Sequence, residues 1–192
     1  MTTELRLGER AIELRQGDIT TFAADAIVNA ANSSLAGGGG VDGAIHRAGG
    51  HEVMADLERR YGRNRHCPTG SAVPASAGDL PAKWVIHAVG PVWHGGRDGE
   101  PDLLRSAYET AFRVARELEA QSVTVPSIST GIYRFPLDLA APIAVEAARD
   151  HLARDTTLER IGFILFSQET FDAFDRALAA LDRSRGPAEP RT

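Results

Sequence analysis

Two kinds of apolar segment alternate along this chain, and the alternation constrains its fold more than any other feature. Residues 11–15, 25–29, 71–74, 84–89, 122–126 and 160–166 are short, β-branched and bounded by turn-forming residues, which reads as strands. Between them lie stretches with a helical period. The clearest follows Pro101 and Asp102, where Leu103, Leu104, Ala107, Ala111, Val114, Ala115 and Leu118 recur at spacings of three and four, with Asp102 as the expected N-cap. A second helix is expected over residues 139–153, with Pro142 tolerated in its first turn, and a short one near Asp42. The last starts near Ser167 or Gln168 and carries Phe171, Phe174, Leu178 and Leu181 on one stripe. Strands alternating with helices predict a three-layer α/β/α sandwich around a central mixed sheet. One domain is expected over residues 1–184, followed by a polar, flexible tail at 185–192.

Charge and cysteine content narrow the function classes. The formal net charge of -5 comes without any Lys/Arg block, so bulk nucleic-acid binding is not expected. The single cysteine, Cys67, suits a reducing compartment, and there is no run of about 20 apolar residues for a membrane span. A cytoplasmic monomer with no membrane partner is the expectation. Lys83 is the lone lysine, which leaves little room for P-loop or Schiff-base chemistry. His66 beside Cys67 has no second pair at ligand spacing, so no metal and no cofactor are expected. No G-x-S-x-G elbow supplies a serine nucleophile.

Ligands of open α/β sheets gather at the carboxyl ends of strands, so the loops there carry the search for chemistry. After the second strand the chain runs through Asn29 and Asn32 into four glycines, 37–40, and then a helix start. Such glycines suit close backbone approach, and a helix N-terminus offers free N–H groups and partial positive charge, together a phosphate-binding arrangement. The formal G-x-G-x-x-G of Gly38, Gly40 and Gly43 does not follow its strand directly, which argues against a Rossmann dehydrogenase. Asp42 and His46 share one helix face. Asp42 is either a helix cap or a carboxylate that activates water or holds a hydroxyl beside the anion loop. A second loop, SISTGIYRFP, adds small and hydroxyl residues and two aromatics after another strand. Asp18 either caps a turn or accepts from an exocyclic amine, and His87 reads as a satisfied core histidine.

Taken together, GDIT, IVNAANSSLAGGGGVDGAIHRAGG, CPTGSA, WVIHAVGP and SISTGIYRFP resemble a macrodomain, with the nearest likeness to the MacroD-type branch that removes ADP-ribose. The resemblance implies a site for ADP-ribose. Asp18 and Ile19 would receive adenine, with Phe166 nearby. Gly39, Gly40 and Val41 would form one phosphate loop, and Ser127, Ser129, Thr130, Gly131, Ile132 and Tyr133 the other. Asn32 would hold the distal ribose, and Asn32, Asp42 and His46 would serve turnover. The implied activity is hydrolysis of ester-linked mono-ADP-ribose on acidic protein side chains and of O-acetyl-ADP-ribose. Its implied partners are ADP-ribose and ADP-ribosylated proteins. A non-catalytic ADP-ribose reader and an ADP-ribose 1''-phosphate phosphatase are the alternatives. Arg134 stands where many relatives have glycine, either altering closure over the distal ribose or adding a cation. A branch that uses a lysine in the helix after the first glycine loop does not fit, since that helix carries His46 and Arg47.

Overall fold

The computed structural model describes residues 2–183; the tail expected at 185–192 lies outside them. Seven strands form one sheet: β1 (Thr2–Leu7), β2 (Arg10–Gln16), β3 (Ala26–Ala30), β4 (Ala72–Ser76), β5 (Trp84–Ala88), β6 (Ser122–Val125) and β7 (Arg160–Leu165). Their order is β1-β2-β7-β6-β3-β5-β4. The five inner strands run parallel, while β1 pairs antiparallel with β2 and β4 with β5, giving the expected mixed sheet. Helices α1 (Gly40–Gly49) and α2 (His51–Tyr61) cover one face. The other face is covered by α3 (Glu100–Glu117), α4 (Leu137–Leu152) and α5 (Gln168–Arg183). No described helix is long and apolar enough to cross a membrane.

The larger core lies under α3, α4 and α5. Tyr108 and Phe112 of α3, Phe163 of β7 and Phe174 of α5 are fully buried and pack as ring pairs 5.2–6.3 Å apart. The Tyr108 hydroxyl donates to the Pro126 carbonyl at 3.3 Å and accepts the Ile128 N–H at 2.8 Å. This core residue therefore holds the loop that follows β6.

Three expectations are corrected. Asp102 does not cap α3, which starts two residues earlier after Gly99. Its first residue, Glu100, accepts N–H bonds from His94, Gly96 and Asp98, satisfying a loop rather than the helix. Burial disfavours its charge, but its own backbone N–H together with those loop donors holds its carboxyl down at about 2. Helix α4 starts at Leu137, so Pro142 sits past the first turn. The helix there forgoes one hydrogen bond to Asp138 and keeps its buried alanine face, Ala140, Ala141, Ala144, Ala147 and Ala148. Finally, β1 and α2 are elements that the strand and helix periods did not announce.

Helix α1 is aimed by its C-terminal end. The Asp79 N–H donates to Gly49 O at 3.1 Å, and Gly78, with φ +58°, lies so close that an added Cβ would overlap the Gly49 carbonyl oxygen. Gly78→Ala combines left-handed backbone with a backbone clash and is expected to lower stability by more than about 2 kcal/mol. Gly99→Ala, at φ +75° and ψ 19° with open space around it, should cost only the about 1–2 kcal/mol of the left-handed conformation. Denaturant unfolding of the two variants beside the unmodified chain checks the difference.

Candidate functional site

The carboxyl ends of the parallel strands open onto one cavity of about 780 Å³. Gly17, Asp18 and Ile19 follow β2, Ala31 and Asn32 follow β3, Gly90 follows β5, residues 126–133 follow β6, and Leu165 and Phe166 end β7. The first residues of α1 close the remaining wall. Every ligand-binding residue expected from the sequence lines this cavity, as does Asp42. His46 lies behind Asp42 and is not in the lining.

The glycine loop is built by one asparagine. Asn32 Oδ1 accepts the Ser34 hydroxyl at 2.8 Å and the Ala36 N–H at 3.2 Å, while its Nδ2 donates to Gly37 O at 2.8 Å. The oxygen is fully used, so Asn32 can offer a ligand one amide proton and no acceptor. Helix α1 then starts behind Gly39, which has no side chain to cap it. The first-turn N–H groups are left for the cavity, with the positive end of the helix dipole behind them. Gly43 must be glycine for this to hold, because a Cβ there would stand 2.5 Å from Gly38 O.

In the second loop, Ser129 has φ +66° and Arg134 φ +57°, non-glycine residues in left-handed backbone. The turn is closed by Phe135 N–H to Ser129 O and Arg134 N–H to Gly131 O, both at 3.0 Å, and Trp93 N–H braces Tyr133 O at 2.9 Å. Ile132 is 72% exposed, and its tip lies 3.4 Å from where a Cβ of Gly39 would be, so the two loops meet across the cavity. Phe166, 82% exposed, offers a flat apolar surface at the rim. Asp18 does cap a turn, its Oδ1 accepting from Thr20 N–H at 3.0 Å and the Thr20 hydroxyl at 2.7 Å; its Oδ2 is left to the cavity.

Asp42 is a buried carboxylate at the edge of the cavity. It is buried at the third residue of α1, and its Oδ1 accepts from Asn29 Nδ2 at 2.6 Å and faces His46 Nε2 at 3.3 Å. Burial alone would raise its pKa, but hydrogen bonds from His46 and Asn29 lower it below the usual value. The cap reading fails, since the cap position belongs to Gly39 and Asp42 bonds inward. Its Oδ2, beside Gly38, has no donor among the described residues. His87 is a core histidine only half satisfied: Nδ1 meets Asn29 Nδ2 at 3.0 Å and Nε2 has no partner among the described residues. Sequence reasoning did not single out Asn29, whose side chain joins Asp42 to His87. The available signal was its place, three residues before Asn32 in the buried strand that leads into the glycine loop.

The Macro domain family model matches residues 28–144. The chain belongs to the macro domain family. It is 53% identical over 165 residues to a macro domain-containing protein of Streptomyces coelicolor, covering 85% of this chain and 95% of that one. It is 47% identical over 169 residues to a Pantoea vagans protein named O-acetyl-ADP-ribose deacetylase 1, covering 88% and 99%. Among solved structures, the Oceanobacillus iheyensis macrodomain with ADP superposes with TM-score 0.88 at 33% identity, covering 96% of this chain and 98% of that one. A Trypanosoma brucei macrodomain in complex with ADP-ribose gives 0.78 at 35% identity, covering 87% and 68%. The three-layer sandwich of this macro domain is thus the fold of its relatives.

Asn29→Asp tests the electrostatics. Two carboxyls 2.6 Å apart cannot both ionise, so the folded variant takes up a proton, on the pair or on His87, that the unfolded chain does not hold. A folded state that binds more protons gains stability as pH falls. The unmodified chain behaves oppositely, because His87 and His151, depressed to about 3 and about 4, cost stability as pH drops below 6.5. The stability deficit of Asn29→Asp relative to the unmodified chain is therefore expected to shrink between pH 8 and pH 5, read by thermal unfolding.

Proposed function

We propose that this macro domain binds ADP-ribose in the cavity and hydrolyses its esters, both O-acetyl-ADP-ribose and mono-ADP-ribose carried on acidic protein side chains. The observation that carries this reading is Asp42. A carboxylate beside an anion-binding loop opposes binding of a diphosphate, and a site built only to bind has no use for it. Here it is held ionised, with one oxygen anchored by Asn29 and the other turned to the cavity. The relative named as an O-acetyl-ADP-ribose deacetylase and the neighbours solved with ADP or ADP-ribose support the substrate class.

The remaining parts have matching tasks. The free oxygen of Asp18 accepts the adenine amino group, Ile19 lies beside it, and Phe166 supplies a stacking face. The diphosphate lies between the N–H groups of Gly40 and Val41 and those of residues 127–132, with Ile132 and Gly39 meeting over it. Asn32 donates its spare amide proton to the distal ribose, and Tyr133 packs on the sugar. This places the ester next to Asp42 Oδ2, which orients a water. The water oxygen bonds to the ester carbon, its proton passes to Asp42 and then to the departing oxygen, and a carboxylic acid and ADP-ribose are released. Because its hydrogen bonds make Asp42 a weak base, its main work is placing the water rather than generating hydroxide.

The test is release of ADP-ribose from O-acetyl-ADP-ribose and from a protein mono-ADP-ribosylated on glutamate. The unmodified chain is expected to cleave both, and Asp42→Ala to lower kcat by about 10²–10⁴-fold. Binding of ADP-ribose without release by the unmodified chain contradicts the hydrolase reading. Gly43→Ala, which pushes Gly38 O out of the phosphate loop, is expected to weaken ADP-ribose binding by at least about tenfold, measured by calorimetry.

A further inference from the structure

Beneath Asp42 lies a second layer of side chains, of which the proposed chemistry has used only the Asn29 contact to Asp42. Asn29 of β3 and His87 of β5 are register partners on adjacent parallel strands, and neither exposes any surface. Asn29 spends both amide protons: one on Asp42 Oδ1 at 2.6 Å, the other on His87 Nδ1 at 3.0 Å. With the amide reversed, two acceptors would face each other at 2.6 Å, an arrangement that an ionised Asp42 excludes. His87 must then accept at Nδ1 and carry its proton on Nε2. The polar ends left over, Asn29 Oδ1 and His87 Nε2, are both buried and without a partner among the described residues. Unsatisfied groups of that kind are tolerated in a core where something other than stability retains them.

We propose that His87 is a positioning residue for ester hydrolysis: as a neutral imidazole it accepts one Asn29 amide proton, aims the other at Asp42 Oδ1, and so turns Asp42 Oδ2 toward the substrate. The proposal rests on the hydrolase reading given above. A direct His–Asp pair would place the imidazole on the carboxylate itself, whereas the interposed amide passes on orientation without passing on charge. His46 Nε2, 3.3 Å from the same oxygen, supplies a second contact from within α1, so Oδ1 is fixed from two directions. The groups facing His87 keep it neutral. Burial dominates, and the positive charges of His46 on α1, whose ring lies 5.6 Å away, and of Arg65 in the segment after α2 oppose protonation. Asp42 on α1 favours it and does not prevail.

The experiment compares the full chain with His87→Leu, which removes the acceptor, and His87→Asn, whose side-chain oxygen stands near the Nδ1 position and restores one. Three quantities are read: kcat on O-acetyl-ADP-ribose, the Kd for ADP-ribose by calorimetry, and the ¹⁵N NMR shifts of the His87 ring in the unmodified chain. His87→Leu is expected to lose about 10–100-fold in kcat with its ADP-ribose Kd little changed, and His87→Asn to recover most of that loss. The His87 ring should show the neutral, Nε2-protonated tautomer from pH 5 to pH 8. Unchanged kcat in His87→Leu, equal loss in both variants, or loss of binding in step with turnover would overturn the proposal. Should His87→Leu fail to fold, His87→Asn and the tautomer still decide. If the unmodified chain binds ADP-ribose but releases none from the ester, the hydrolase reading has failed, and the tautomer separately tests the positioning: a proton on Nδ1 overturns it.

Discussion

The hydrogen bond from Asn29 Nδ2 to Asp42 Oδ1, 2.6 Å long and closed to water, ties the sheet to the helix that bears the site. It joins the end of β3 to the first turn of α1 across the glycine loop, so the loop is fixed at both ends before it meets a ligand. Cutting it would leave a buried carboxylate short of a donor, at a cost of about 1–3 kcal/mol, or more for a charged group. It also settles which carboxylate oxygen is free. The placement of the loop and the direction of the unused oxygen thus follow from this contact, and the ionisation of Asp42 from it together with the hydrogen bond from His46.

The proposed anion site is built more from backbone than from cations. The chain has a net charge of -5 and Arg47 lines the cavity, but in the proposed complex the diphosphate is met chiefly by helix and turn N–H groups. Remote surface charge is screened over roughly 8 Å at physiological salt, while N–H groups act at contact. That economy makes glycine indispensable at close approaches. Gly43 leaves room for the Gly38 carbonyl, and Gly78 lets the far end of α1 seat against the β4–β5 turn. The backbone strain at Ser129 and Arg134 belongs to the same design, bending the second loop so that Ile132 reaches Gly39.

Much of this was legible in the sequence, for reasons that differ by element. The inner strands are buried on both faces and announce themselves as β-branched runs, and the glycine and SISTGIY loops mark the strand ends where the cavity forms. Strand β1 escaped notice because only Leu5 in it is buried, and α2 because arginine and glutamate outweigh its apolar stripe of Val53 and Leu57. Asp102 resembled a cap because the start of α3 depends on Glu100 answering a loop that no local pattern reveals. The double duty of Asn29 and the half-satisfied state of His87 depend on strand register, which brings together residues 58 positions apart.

The central claim is that Asp42 serves the reaction and not the affinity. Calorimetric titration of ADP-ribose into Asp42→Asn tests it most directly, since this change keeps the size of the side chain and removes its charge. The account predicts binding as tight as that of the unmodified chain or tighter, because a negative charge has left the mouth of a diphosphate site. Affinity weakened by tenfold or more would show that the carboxylate holds the ligand, and would contradict the account.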